Sequence, residues 1–204
     1  MNYQLVLEDT LKKLEGAPKL LLHVCCAPCS SYVLEYLSNY FQITVFYYNP
    51  NIDTLEEYNI RLNEAKRFIK EFKGKYPIDL VEMGHLQNEY DAIIKGLEDE
   101  KEGGKRCFAC YRLRLEKSFV YAKENNYDYV TTTLTISPLK NSQKINEIGH
   151  ELEDKYGINY LYSDFKKKEG YKRSIVLSKE YNLYRQDYCG CRYSKRKDKI
   201  KLEV

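Results

Sequence analysis

Seven cysteines stand in three tight groups: Cys25, Cys26 and Cys29 in HVCCAPCSS, Cys107 and Cys110 in CFAC, and Cys189 and Cys191 in CGC. None stands alone, and an odd count leaves at least one outside any disulfide framework. A short loop carrying several thiols offers several ligands to one ion, so this grouping points to a metal ion or an iron–sulfur cluster. A 4Fe–4S cluster takes four thiolates, and a structural zinc takes four Cys or His ligands. Cys26 or Cys29, the Cys107/Cys110 pair and one of Cys189 and Cys191 would make such a set of four. The sulfurs left over suit a second metal with an open position, which is what a catalytic ion needs. Two plainer readings compete. One is a zinc that staples the end of the chain to its core; the other is a thioredoxin-like dithiol in CFAC, which leaves the remaining thiols without a purpose.

Distant groups meet only if the fold brings them together. Lys19–Val24 is an apolar run ending at the first cysteines, and Tyr32–Tyr40 after them is apolar at helical spacing, which predicts strand, tight turn, helix. Cys29 then lies near a helix N-terminus, where free N–H groups and the helix dipole lower a thiol pKa, and Pro28 fits a first helical turn. Ile43–Tyr48 predicts a second strand closing in Asn49-Pro50-Asn51, and Thr54 with Glu57 predicts a capping box on a helix reaching about Phe72. Ile78–Met83 reads as a strand, Gln87–Leu97 as a helix, and a polar, glycine-bearing stretch then delivers a helix carrying CFAC. Tyr127–Thr133 predicts a strand, Asn141–Tyr156 a helix and Ile158–Tyr162 a short strand. Such alternation predicts an α/β fold with a parallel sheet and helices on both faces. Ligands of these sheets sit beyond the carboxyl ends of the strands, which would gather HVCCAPCSS, YYNPN and TLTISPLKN at one mouth.

At 204 residues the chain predicts a single domain: an α/β core over 1–164, and a basic, cysteine-containing C-terminal lobe over 165–204 that closes the metal site. With 43% apolar and 31% charged residues it can bury a core and does not read as a membrane protein. The opening MNYQLVLEDTLKKLEG lacks the apolar stretch of a secretory signal, so the expected location is the cytoplasm, where thiols stay reduced. A formal charge of +3 hides an asymmetry: Phe165–Val204 holds 13 Lys and Arg against 5 Asp and Glu, net +8, whereas the rest holds 20 against 25, net −5. A basic segment of this kind is a candidate polyanion contact or simply a solvated lysine face.

Taken together, LLHVCCAPCSS, FYYNPNI with EEYNIR, CFACYRLRLE, YDYVTTTLTISPLKN, NEIG, SDFKKKEGYKRS and LYRQDYCGCRYS resemble the cobalamin-independent, iron–sulfur epoxyqueuosine reductase family, over almost the whole chain. The resemblance implies a Rossmann-like α/β domain, a 4Fe–4S cluster, an adjacent mononuclear iron, and a tRNA substrate bearing epoxyqueuosine. It implies Cys26, Cys107, Cys110 and Cys189 as cluster ligands and Cys25, Cys29 and Cys191 around the second iron. Some members carry an aspartate where this chain has Cys29, so the iron here would have sulfur in place of a carboxylate and be softer.

The implied reaction takes one oxygen from an epoxide and leaves an alkene, consuming two electrons from a low-potential donor and two protons. Tyr47, Tyr48, Asp164 and Asp187 stand in or beside the loops expected at the mouth and are the candidate proton sources. Lys166, Lys167, Lys168, Lys172, Arg173, Arg192, Lys195, Arg196 and Lys197 are the candidate contacts to tRNA phosphates. His23, on a strand, reads as a packed side chain. Two other functions are weighed: an ATP-dependent tRNA sulfur transferase, which would want a glycine-rich pyrophosphate turn where CCAPCSS stands, and a zinc-stabilised RNA-binding module.

Overall fold

The apolar run before the first cysteines forms β1, Lys19–His23, buried from Leu20 onward. The computed structural model describes residues 1–195. In it β1 is the middle strand of a five-stranded parallel sheet. Beside it lie β2 (Gln42–Tyr47) and β4 (Tyr129–Thr132), and outside these β3 (Asp79–Glu82) and β5 (Asn159–Tyr160), in the order β3-β2-β1-β4-β5. The expected Rossmann-like arrangement is therefore present.

Because successive strand side chains point to opposite faces, β1 feeds two cores. Leu20, Leu22 and Val24 pack against α1 (Tyr3–Lys13) and α2 (Ala27–Leu37), whereas Leu21 packs against α5 (Lys105–Glu124) and α6 (Ser142–Tyr156). α3 (Leu55–Glu71) follows β2, and α4 (Gln87–Ile93) follows β3. From β1 the chain moves outward through β2 and β3, then crosses back through α4 and α5 to β4 on the other side. The carboxyl ends of β1 and β4 thus flank the point where strand order reverses, where ligands of open α/β sheets bind. The Cys25–Cys29 loop leaves β1 there, and a 3₁₀ turn, Thr133–Ile136, leaves β4 beside it.

Several elements differ from expectation for local reasons. The helix after the first cysteines starts at Ala27 with Cys26 as its N-cap and Pro28 in its first turn, so Cys29 is already helical. Thr54 caps α3 by accepting the Glu57 N–H at 3.1 Å, but the Glu57 carboxylate turns away to the Arg61 Nε at 2.6 Å, leaving half of the expected box. α4 stops at Ile93 and β5 shortens to two residues. Two helices that the hydrophobic pattern did not announce are present: α1, capped by Asn2, and α7 (Gly170–Glu180), which lies on α2 inside the basic segment. Phe165 and Leu183, flanking α7, join the same core as α2. Arg196 and Lys197 lie outside the described residues.

Candidate metal centre

Three separate stretches of chain deliver thiols to one cleft of about 500 Å³, lined by six of the seven cysteines: Cys25, Cys29, Cys107, Cys110, Cys189 and Cys191. The seventh, Cys26, is buried with its sulfur 3.7 Å from that of Cys25, and the sulfurs of Cys25, Cys26 and Cys29 all lie within 4.8 Å of one another. All seven are free thiols. The trio titrates as a unit. Hydrogen bonds from Cys26 and Cys29 hold Cys25 well below an ordinary thiol, while bonding to the Cys25 sulfur pushes Cys26 up to about 12. One proton therefore leaves readily, and the other two need a stronger incentive, such as a metal ion.

The second grouping is built on α5. Cys107 sits in its first turn and accepts the Gly103 N–H at 3.2 Å, and Cys110 follows one turn later. Burial raises the pKa of both, pushing Cys110 up to about 12. The segment Asp187–Ser194 brings Cys189 and Cys191 against them, and Cys191 packs with Cys110, Tyr90 and Ile94. Contacts to α3 and its approach hold this strap: Arg61 Nη1 donates to the Cys189 carbonyl at 3.2 Å, Asp53 N donates to the Gly190 carbonyl at 2.9 Å, and Arg61 stacks on Tyr188. Arg106 stacks on Tyr193 at 4.3 Å from the other side. Gly190 has a φ of +105°, and a Cβ there would lie 3.0 Å from Arg61 Nη1 and 3.1 Å from Ile52. A donor set of free, clustered sulfurs without a carboxylate in the tight trio suits a soft metal or an iron–sulfur cluster.

Cations surround these sulfurs. Arg61, Arg106 and Arg114 are 1%, 3% and 1% exposed, and the half-buried Lys140 reaches in from the loop after β4. Burial works against the Lys140 ammonium, but its attraction to the sulfurs of Cys189, Cys25 and Cys29 outweighs this and raises its pKa. Burial lowers the pKa of His23 to about 3, so its imidazole is neutral; Nδ1 lies 2.8 Å from Thr132 Oγ1 and Nε2 accepts from Arg114 Nε at 3.2 Å. The expectation that His23 is a packed side chain agrees with this placement.

Of the four residues singled out as proton sources, only Asp187 lines the cleft. Tyr47 is buried among Ile52, Tyr58 and Leu62 and donates to the Tyr58 carbonyl; Tyr48 donates to Glu89; Asp164 pairs with Lys166 at 2.7 Å. Four other tyrosines, Tyr90, Tyr111, Tyr171 and Tyr188, line the cleft instead, and burial raises the pKa of Tyr90 and Tyr111. The basic residues fall into two sets. Lys166, Lys168, Lys172 and Arg173 pair with Asp164, Glu8, Glu169, and Glu35 with Glu180, while Lys167 reaches Asn2. Arg192 and Lys195 lie by the strap, on Asp91 and Asp53. Sequence reading passed over Arg106, Arg114 and Lys140, yet a signal was there: Arg106, Cys110 and Arg114 recur every four residues, along one helix face.

A family profile described as "Epoxyqueuosine reductase QueH" matches residues 20–197, a span that includes every cysteine. The chain belongs to the QueH family. It is similar to the epoxyqueuosine reductase QueH of Streptococcus pyogenes serotype M1, 44% identical over 99% of this chain and 81% of that protein. The protein of the same name from Staphylococcus aureus is 42% identical over 93% of this chain and 84% of its own length. For Thermotoga maritima the figures are 35%, 86% and 89%. QueH membership makes the chain an oxidoreductase, as the sequence motifs led us to expect. No helix among the described residues is long and apolar enough to cross a membrane.

Proposed function

We propose that this chain reduces epoxyqueuosine to queuosine in tRNA in the cytoplasm, on a metal centre made from its cysteines. The observation that carries this reading is the convergence of all three cysteine groups on one cleft at the carboxyl edge of the sheet, in a QueH-family chain. The net change is loss of the epoxide oxygen as water with formation of a C=C bond, taking up two electrons and two protons. A bound 4Fe–4S cluster would supply electrons singly, and a neighbouring iron would offer a Lewis-acidic position for oxygen. An external low-potential donor is then required.

The grouping of the sulfurs supports a division of four and three: Cys107, Cys110, Cys189 and Cys191 for the cluster, and Cys25, Cys26 and Cys29 for the iron. Relative to the division expected from the sequence, Cys26 and Cys191 change places. Lys140, facing both groups, stabilises negative charge on the departing oxygen. Tyr90 and Tyr111 stay protonated and donate hydrogen bonds, and Asp187, exposed at the mouth, passes protons from solvent. Leu139, 65% exposed, and Tyr188 at the rim receive the modified base, and Arg185, Arg192 and Lys195 meet the phosphates.

The test is anaerobic incubation of reduced, iron-reconstituted protein with tRNA bearing epoxyqueuosine, followed by nucleoside digestion and mass analysis. Reductant-dependent loss of one oxygen is expected. No conversion at full iron and sulfide loading would overturn the reading and turn attention to sulfur transfer. That alternative draws little from the structure: the Ser30 and Ser31 hydroxyls donate to the Ala27 and Pro28 carbonyls and are not turned toward an anion. Stoichiometric zinc without sulfide in anaerobically isolated protein would favour an RNA-binding module instead.

A further inference from the structure

Three arginines lie buried around the cysteine cleft, and they differ in what neutralises them. Arg61 has the Glu57 carboxylate at 2.6 Å. Arg106 Nη1 lies within hydrogen-bonding distance of three backbone carbonyls, those of Leu97, Glu98 and Glu100. Arg114, 1% exposed, makes no ion pair with a carboxylate among the described residues. Its Nη2 donates to Asn49 Oδ1 at 2.6 Å, its Nε to His23 Nε2 at 3.2 Å, and its Nη1 faces the Cys110 sulfur at 4.0 Å. Asn49 is itself fully buried and donates to the Val24 carbonyl at 2.8 Å, which ties the guanidinium to the ends of β1 and β2.

A buried cation without a counter-charge is far more costly than its neutral hydrogen bonds repay. The anions within reach are sulfurs: Cys110 directly, with Cys25 and Cys189 also acting on the Arg114 charge. Cys110 is the sulfur that faces the guanidinium, and metal binding, which requires its ligands to be deprotonated, places negative charge there. A fixed positive charge in a low-dielectric site also favours the electron-rich state of a neighbouring redox centre.

We propose that Arg114 is a positioning residue and the fixed counter-charge of the metal–thiolate centre, raising the reduction potential of that centre and tying metal loading to the stability of the fold. The inference rests on the metal-centre reading given above and concerns how this chain tunes the centre.

Asn49→Asp provides the sharpest test, because it keeps the shape of Asn49 and hands Arg114 a carboxylate of its own, while giving up in both forms of the protein the hydrogen bond that Asn49 donates to the Val24 carbonyl. Arg114→Gln removes the charge, and Arg114→Lys restores it on a different frame. For full-length wild type and each variant, thermal unfolding is measured on metal-free and anaerobically iron- and sulfide-reconstituted protein, and the midpoint potential by dye-mediated titration. In Asn49→Asp the gain in Tm on loading should shrink, and the potential should move negative. Arg114→Gln should shrink the gain and lower the potential likewise, with Arg114→Lys returning both toward wild type. Parallel Tm changes in the two forms with an unmoved potential would overturn the proposal and leave the metal-centre reading standing. Wild-type protein that takes up no iron would overturn both.

Discussion

Cys26 and Cys191 are the residues on which the division of ligands turns. Cys26 caps α2 within a three-sulfur loop, whereas Cys191 enters from the far end of the chain to pack on Cys110. If the four-and-three division is right, Cys191→Ala loses most of the visible absorption of the reconstituted protein, and Cys26→Ala keeps it while losing turnover; the reverse pattern would restore the division expected from the sequence. Lys140→Met tests the charge that faces both groups: turnover should fall at least tenfold (about 10²-fold for comparable electrostatic donors) while iron content stays unchanged. The cysteines were legible because thiols are rare and their spacing is tight. The cations were not, because an arginine in CYRLRLE reads equally well as a solvated helix face, and only the fold turns Arg114 inward. Tyr47 and Tyr48 do not line the cleft for the opposite reason: a position at the end of a strand predicts proximity to a mouth but does not say which way a ring points.

α3 is the element that docks the chain's last described segment. Arg67 Nη2 donates to the Tyr181 carbonyl at 2.9 Å, and the Glu64 carboxylate accepts the Tyr184 N–H at 2.7 Å while pairing with Arg67 at 2.8 Å. The bond from Arg67, with a smaller share from the Tyr184 N–H, holds the Glu64 pKa below that of an ordinary carboxylate. Its stabilising effect is thus full above the ordinary carboxylate range and is lost as pH falls through the depressed folded value. Glu64→Gln should cost about 1–2 kcal/mol near neutral pH, and the two stability curves should converge as pH falls below the carboxylate range; a gap that stays constant into strong acid would exclude this role. Strands β1 and β2 were readable because they are nearly continuous apolar runs ending in polar turns. α7 was not, since the face it buries is Gly170, Ser174, Leu177 and Ser178, of which only Leu177 contributes to an apolar pattern.

At the scale of the whole molecule, the net +8 of the last forty residues meets a net −5 elsewhere, and most of the paired cations sit on acids of the core: Lys168 on Glu8, Arg173 on Glu35, Arg192 on Asp91, Lys195 on Asp53. Arg173→Ala should accordingly lower Tm by a few degrees and leave tRNA affinity within about twofold, because exposed pairs are worth about a kcal/mol or less and this guanidinium is taken up by Glu35 and Glu180 and is not among the residues that line the cleft. Filter binding across a salt series, with Arg192→Ala as the contrasting variant, would show the difference. Removing residues 165–204 should abolish the folded state altogether, since Phe165 and Leu183 are part of the core shared with α2; a truncated chain with a cooperative unfolding transition would show that the lobe is a separable unit.

Gly190 carries a lesson about inheritance. The thiols of Cys189 and Cys191 keep their spacing through a backbone conformation that favours glycine, and the space where its Cβ would stand is bordered by Arg61, which also holds the Cys189 carbonyl. Positions 61 and 190, far apart in the gene, therefore meet at one point of the strap. A lineage that replaced the glycine would strain the backbone at a φ of +105° and press on both Arg61 and Ile52, and so would disturb the strap that carries two of its sulfurs.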